Sequence, residues 1–216
     1  MMDPDLADDP QDVIMKECLL DLKKTGDKWT GYLQSDEELQ AFEKKLAAVH
    51  VQFSTTSSRN HKCGASQLMF SSNRGTVPVS LDMPFQVVRQ VDKDCVLGID
   101  HHKDKCESTS TAQDPTDWSS EVFCKKKIKL QGTKKKGCTA SMHLKWISMY
   151  PEFKVDIPQH TGIGKSLQMK AAKIRELEEQ KAHVNCRTKQ RIYVAISPMS
   201  FHHAHQFGEM AGFSQT

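Results

Sequence analysis

Two cysteines and three histidines have the residue types and the grouping that a metal site requires. Cys124 and Cys138 flank a lysine-rich stretch, and His202, His203 and His205 lie within four residues of one another. A zinc ion held by two thiolates and two imidazoles needs four donor atoms about 2.0 to 2.3 Å from the metal. Alternate side chains of an extended chain point the same way, so His203 and His205 can share one ion, and His202 and His205 can do so if the chain turns. The sequence therefore predicts a structural zinc site of Cys124, Cys138, His203 and His205, with His202 as the alternative to His203.

The stretch between Glu121 and Glu152 must position both cysteines. It holds eight lysines and no acidic residue. From Cys124 to Leu130 and from Cys138 to Trp146 the residue types alternate, as they do when a strand turns one face to a core and the other to solvent. The two segments predict a β-hairpin with both cysteines on the core side and a lysine-rich loop between the strands.

Lysines on the solvent side of that hairpin and in its loop form the predicted DNA-binding set. Such lysines neutralise phosphates and release counterions, which gives salt-dependent affinity for nucleic acid. A solvated strand face or a nuclear-localisation signal would explain the same lysines, and small core hydrophobes would explain the cysteines. The set consists of Lys125, Lys127, Lys129, Lys134, Lys135 and Lys136.

The other cysteines and His143 receive plainer interpretations. Cys63, Cys95 and Cys186 are most simply core or surface thiols, and His143 falls on the strand face opposite Cys138, as a polar surface residue does. Seven cysteines, an odd number, favour thiols or metal ligands over a disulfide framework.

Composition excludes several classes of protein. Of the 216 residues 38% are hydrophobic, and no run approaches the roughly 20 apolar residues of a membrane helix. Residues 1–10 lack the features of a signal peptide, so we expect an intracellular protein with no membrane partner. A thiol nucleophile at Cys138 or a catalytic metal would make an enzyme, but neither has an acidic cluster nearby and no glycine loop suits a phosphate. We therefore expect no enzymatic activity and no small-molecule substrate.

The remaining pattern predicts an α+β fold, a small antiparallel β-sheet with a zinc site and a few flanking helices. Residues 1–34 are acidic and predict a loosely ordered leader with a marginal helix, and 35–216 predict the zinc-binding domain, with a polar loop at about 100–120. Ser35 followed by Glu38 predicts a capped helix from Ser35 to His50. A second helix is predicted at about 165–183, and strands at about 67–70, 76–81, 85–91 and 191–196.

Short motifs in a fixed order carry a resemblance to a known group of domains. They include Met83-Pro-Phe85, Cys95-Val-Leu-Gly98, Lys136-Gly-Cys-Thr-Ala140 and Tyr150-Pro-Glu-Phe-Lys-Val155, followed by the histidines. From about Ser35 to Gln215 the chain resembles the WRKY and glial-cells-missing group of zinc-binding β-sheet domains, and more narrowly the domain of calcium-responsive transcription factors. The resemblance implies a nuclear DNA-binding module with a Cys-Cys-His-His zinc, carried onto Cys124, Cys138, His202 or His203, and His205.

Charge, motifs and resemblance together predict a zinc-dependent DNA-binding protein. We expect a regulator of transcription that contacts double-stranded DNA through the lysine-rich hairpin, in the nucleus. The alternative is a transposon-derived or adaptor protein that uses the same zinc fold to bind other proteins.

Overall fold

The computed structural model describes residues 9–61, 67–73, 77–100, 135–158, 160–181 and 186–202. These residues form three α-helices and one antiparallel sheet of seven strands, which confirms the α+β class. None of the described helices has the length and apolar character that a membrane crossing requires. The helices are α1 (Pro10–Cys18), α2 (Asp36–Ala48) and α3 (Ile163–Lys181). The strands are β1 (Leu20–Thr25), β2 (Lys28–Leu33), β3 (Phe53–Asn60), β4 (Met69–Ser72), β5 (Val79–Cys95), β6 (Ser141–Met149) and β7 (Lys189–Ile196).

The strands β6 and β7 lie at the centre of the sheet. Its order is β1-β2-β7-β6-β5-β3, and β4 pairs with β5 outside this row. β6 pairs with β5 on one side and β7 on the other, and β7 in turn pairs with β2. The strand that the sequence predicts at 191–196 is confirmed as β7. The predicted strand from Cys124 to Leu130 and most of the predicted polar loop lie outside the described residues.

One face of the sheet is covered by α1 and α2. Leu39, Phe42 and Leu46 recur at helical spacing and are buried, because this stripe of α2 packs on the apolar face of the central strands. The helix begins as predicted. Ser35 caps it by accepting a hydrogen bond from the Glu38 amide at 3.2 Å, and the Glu38 carboxylate accepts one from the Gln34 amide.

The N-terminal segment is more ordered than the sequence predicts. In place of a loosely ordered leader, residues 10–33 form α1, β1 and β2, and β2 lies inside the sheet. It pairs with β1 on one side and with β7 on the other, where Trp29 lies opposite Ile196 and Leu33 opposite Ile192. A partner about 160 residues away in sequence leaves no local signal, and this is why composition alone suggested disorder. The division of the chain into domains stays a prediction.

β5 is longer than the separate short strands that the sequence predicts. It spans 17 residues, and β3, β4 and β6 all pair with it along its length. A register shift between Val87 and Arg89 breaks the alternation that a sequence pattern follows. The C-terminal residue of β5 is Cys95, so this long strand ends at the candidate site.

The second long helix, α3, is anchored through its C-terminal half. Leu177 is fully buried against Leu68, Tyr150 and Phe153. Leu167, near the N-terminal end of the helix, is 60% exposed. The predicted helix is confirmed, but its apolar face is only partly covered by the described residues.

Candidate metal centre

Cys95, Cys138 and His202 form a buried cluster of metal-binding side chains. Their exposed fractions are 0%, 2% and 2%, and their donor atoms all lie within 4.8 Å of one another. Ligands 2.0 to 2.3 Å from one tetrahedral ion are separated from each other by about 3.3 to 3.8 Å. The three side chains are therefore close enough to hold a metal ion.

Cys95 is placed by the tight turn that ends β5. Its amide donates to the Ala140 carbonyl at 3.0 Å, and its carbonyl accepts from the Gly98 amide at 2.7 Å. A Cβ atom at Gly98 would lie 2.7 Å from the Cys95 carbonyl oxygen, which is closer than real Cβ contacts. The turn therefore requires glycine at this position, and it holds Cys95 at the edge of the site.

Cys138 is held beside that turn by backbone pairing. The amides of Lys136 and Cys138 both donate to the Leu97 carbonyl, at 2.9 and 3.2 Å, and Cys138 forms an isolated parallel bridge with Gly98. The sequence placed Cys138 inside a strand, but β6 begins three residues later, at Ser141. This correction follows from the backbone pairing, because the segment before β6 binds the end of β5 in parallel.

His202 reaches the cysteines from the end of β7. It directly follows the 3₁₀ turn Met199–Phe201, and its amide donates to the Met199 carbonyl at 2.9 Å. Its Nδ1 lies 3.7 Å from the Cys138 sulfur, and the Phe53 ring meets the imidazole edge to face at 5.8 Å. The turn thus brings His202 into contact with Cys138, which lies 64 residues earlier in the sequence.

The surroundings of Cys95 keep its thiol protonated when no cation is bound. Burial among Leu97, Ala140 and Phe53, and secondarily the neighbouring Cys138, raise the pKa of Cys95 to about 12. A metal ion reverses this preference, since a coordinated thiol gives up its proton to the cation charge. The cluster therefore suits a cation that prefers sulfur ligands.

The sequence found two of these three residues. Cys138 and His202 were both candidate ligands, with His202 named as the alternative to His203. Cys95 was missed, because it was interpreted as a core or surface thiol. A usable signal was present in the glycines near both cysteines, Gly98 and Gly137, which permit tight turns. Cys124, His203 and His205 lie outside the described residues, and their role as ligands stays a prediction.

The lysines of the predicted DNA-binding set are only partly described. Lys135 is half-buried and Lys136 is exposed, directly before the cluster. Lys145, another lysine of the same stretch, is buried and donates to the Val77 carbonyl. The remaining members, Lys125, Lys127, Lys129 and Lys134, lie outside the described residues.

A second histidine is bound by polar side chains instead of thiols. His143 has a side chain only 14% exposed, with Nδ1 2.8 Å from the Asp92 carboxylate and Nε2 2.7 Å from the Lys28 ammonium. Lys28 also donates to the Ser141 hydroxyl at 2.9 Å. Burial lowers the pKa of Lys28, and three nearby aspartates partly offset that effect. His143 is thus part of a polar network and is less exposed than the sequence suggests.

Comparison with known proteins identifies the family. The family model for amyotrophic lateral sclerosis 2 chromosomal region candidate gene 8 matches residues 59–216. No curated protein matches the chain, and no solved structure does. The matching family is not the WRKY or glial-cells-missing group, nor the calcium-responsive transcription factor domain, and the resemblance stated from the sequence is corrected accordingly. Since the match covers more than half of the 216 residues, the chain belongs to the family of amyotrophic lateral sclerosis 2 chromosomal region candidate gene 8.

Proposed function

We propose that this chain is a zinc-stabilised DNA-binding protein that acts in transcription in the nucleus. The observation that carries the proposal is the buried Cys95, Cys138 and His202 cluster. Two thiolates and an imidazole are a donor set that zinc prefers, whereas hard cations such as Mg²⁺ and Ca²⁺ prefer oxygen ligands.

The role of the zinc is structural in this proposal. The donors come from the ends of β5 and β7 and from the segment before β6, so one ion would tie three parts of the chain together. The site is buried among apolar side chains, and that leaves little room for a substrate. A structural site is four-coordinate, and the sequence offers Cys124, His203 and His205 for the fourth position.

The DNA-binding part of the proposal rests on charge next to the cluster. Eight lysines and no acidic residue lie between Glu121 and Glu152. Backbone hydrogen bonds from Lys136 and Gly137 to Leu97 and Gly98 attach the end of this lysine-rich segment to the β5 turn. A zinc ion on Cys138 would hold the segment still, which lowers the entropy cost of contacting phosphates.

Metal analysis of purified variants tests the zinc site. We expect one zinc per wild-type chain and loss of that zinc in Cys138→Ser. Cys186→Ser is the matched control, because Cys186 packs in a different cluster, near α3, and its loss should leave the zinc in place. Undiminished zinc in both Cys138→Ser and Cys95→Ser would overturn the site.

Duplex binding at two salt concentrations tests the DNA-binding part. We expect zinc-loaded protein to bind a duplex of about 20 base pairs, with an affinity that falls steeply between about 50 and 200 mM salt. The double variant Lys135→Gln, Lys136→Gln should bind more weakly and show a log–log salt slope smaller by about 2. Folded, zinc-loaded wild type that binds no duplex at low salt would contradict the proposal.

Protein interaction is the second candidate, and one observation favours it. Ile163 and Leu167 lie one turn apart on α3 and are 83% and 60% exposed. Exposed apolar residues at this spacing suit an apolar partner surface better than phosphates. If the folded protein binds no duplex, and Leu167→Asp abolishes binding to a protein partner without changing the zinc content, the interaction function gains support.

A further inference from the structure

A cleft on the second face of the sheet, away from the metal cluster, has the chemistry of an anion site. It has a volume of about 330 Å³ and lies between β1, β2 and β7 and the start of β5. Arg191, Tyr32 and Tyr193 form one wall, and Asp21, Lys23 and Ser80 are among the other lining residues. This volume is near the lower end of the range for small-molecule sites, about 300 to 1,000 Å³.

The Arg191 guanidinium is held in a fixed orientation by aromatic side chains. It stacks on the Tyr32 ring at 4.3 Å from the ring centroid, and its proximity counteracts part of the rise that burial causes in the pKa of Tyr193. Tyr32 and Tyr193 face each other across paired strands, with ring centroids 5.7 Å apart. Stacking uses the flat face of a guanidinium, so its in-plane N–H groups stay available to an acceptor.

The described residues leave the Nε–H donor of Arg191 without an acceptor. Its Nε is buried and has no hydrogen-bond acceptor among them, and none of their carboxylates pairs with the guanidinium. Asp21, the acidic residue among those that line the cleft, pairs with Lys23 at 3.0 Å. The cleft therefore keeps one net positive charge and a shielded donor without an acceptor.

We propose that this cleft binds a small oxyanion of the phosphate class through Arg191. A guanidinium fork matches the spacing of phosphate oxygens, and the Tyr32 and Ser80 hydroxyls at the cleft can add further donors. Free phosphate and the phosphate of a mononucleotide present the same terminal oxygens, so both belong to this class. The site is separate from the zinc cluster and from Lys135 and Lys136, so it does not depend on the proposed function.

Thermal unfolding with added anions tests the proposal. Inorganic phosphate or adenosine monophosphate should raise the unfolding midpoint of zinc-loaded wild type, relative to chloride at equal ionic strength, because a ligand that binds only the native state stabilises it. Arg191→Gln should abolish this shift. Arg89→Gln is the matched control, since Arg89 also stacks on an aromatic ring, Trp146, but lies outside the cleft, and it should respond as wild type does.

The size of the shift distinguishes a nucleotide ligand from free phosphate. A larger shift with the nucleotide than with phosphate identifies a nucleotide ligand, and equal shifts identify the free anion. No phosphate-specific shift in wild type, an equal shift with acetate, or an undiminished shift in Arg191→Gln would overturn the proposal.

If Arg191→Gln does not fold, the wild-type Arg191 Nε–H resonance should move on phosphate addition, and a resonance that stays in place would overturn the proposal as well. Retention of the phosphate effect in Lys135→Gln, Lys136→Gln would separate this site from duplex binding.

Discussion

Two histidines near the same end of the sheet, the buried His202 and the half-buried His143, differ in what surrounds them. His202 lies beside two thiols, and its Nδ1 is 3.7 Å from the Cys138 sulfur. His143 lies between the Asp92 carboxylate and the Lys28 ammonium, with both ring nitrogens within 2.8 Å of a partner. A thiol can exchange its proton for a cation, whereas an ammonium repels one. Neighbouring groups, and not the histidine itself, therefore decide whether an imidazole can bind metal.

The two sites also differ in how their strands are joined. At the cysteine site, Cys138 and His202 meet through a long sulfur–nitrogen contact of 3.7 Å, and a metal ion would add a much stronger attraction. The Asp92, His143 and Lys28 network supplies its own attraction through charge-assisted hydrogen bonds. Lys28 reaches His143 from β2 across β7, where Ala195 is opposite both Thr30 and His143 and is too small to block the path.

Removing a cysteine ligand should have the largest effect. We expect Cys95→Ser to lose zinc and to unfold the ends of β5 and β7, because structural zinc supplies about 10–16 kcal/mol of apparent binding free energy in zinc-finger peptides. Chelation of wild-type protein should produce the same change in circular dichroism. Cys95→Ser that keeps its zinc and its unfolding midpoint would remove Cys95 from the site.

Exchange of each histidine for glutamine should separate the two sites. We expect His202→Gln to lose zinc, and His143→Gln to keep a full equivalent of zinc while losing about 1–3 kcal/mol of unfolding free energy, since Asp92 and Lys28 lose a shared partner. Zinc analysis and urea unfolding of both proteins check this. Loss of zinc from His143→Gln as well would show that the two sites are not independent.

The sequence predicted those features that depend on nearby residues. Ser35 and Glu38 fixed the start of α2, and the alternation after Cys138 correctly grouped Ala140, Met142 and Leu144 on a buried face. Features that depend on distant pairing were missed. β2 joins the centre of the sheet through the distant β7, and Cys95 becomes a candidate ligand only because the chain before β6 returns to the β5 turn.

Lys145 lies on a strand face whose covering segment the sequence does not predict. The alternation correctly placed Lys145 on the same strand face as His143, and that face was interpreted as solvent-exposed. The segment before β5 covers the face instead, and the Lys145 side chain donates to the Val77 carbonyl beneath it. Periodicity thus separates the two faces of a strand, but it does not show what covers each face.

The smallest expected effect is the pH dependence that the buried Lys145 gives to the unfolding free energy. Desolvation lowers the pKa of Lys145 in the folded protein. Between that lowered pKa and the ordinary pKa of a lysine, the unfolded chain binds a proton that the folded chain lacks, so this residue makes the unfolding free energy rise with pH. The slope from one such group is at most about 1.4 kcal/mol per pH unit. In Lys145→Met this contribution should be absent.

Urea unfolding of zinc-loaded wild type and Lys145→Met at several alkaline pH values measures the difference in slope. Lys154→Met is the matched control, because hydrogen bonding to Asp82 raises the pKa of the exposed Lys154, and a raised pKa makes its contribution fall as pH rises. The two substitutions should therefore change the slope in opposite directions. Equal slopes for wild type and Lys145→Met would mean that water reaches Lys145, and the second face of the sheet would then be open where the structure has it covered.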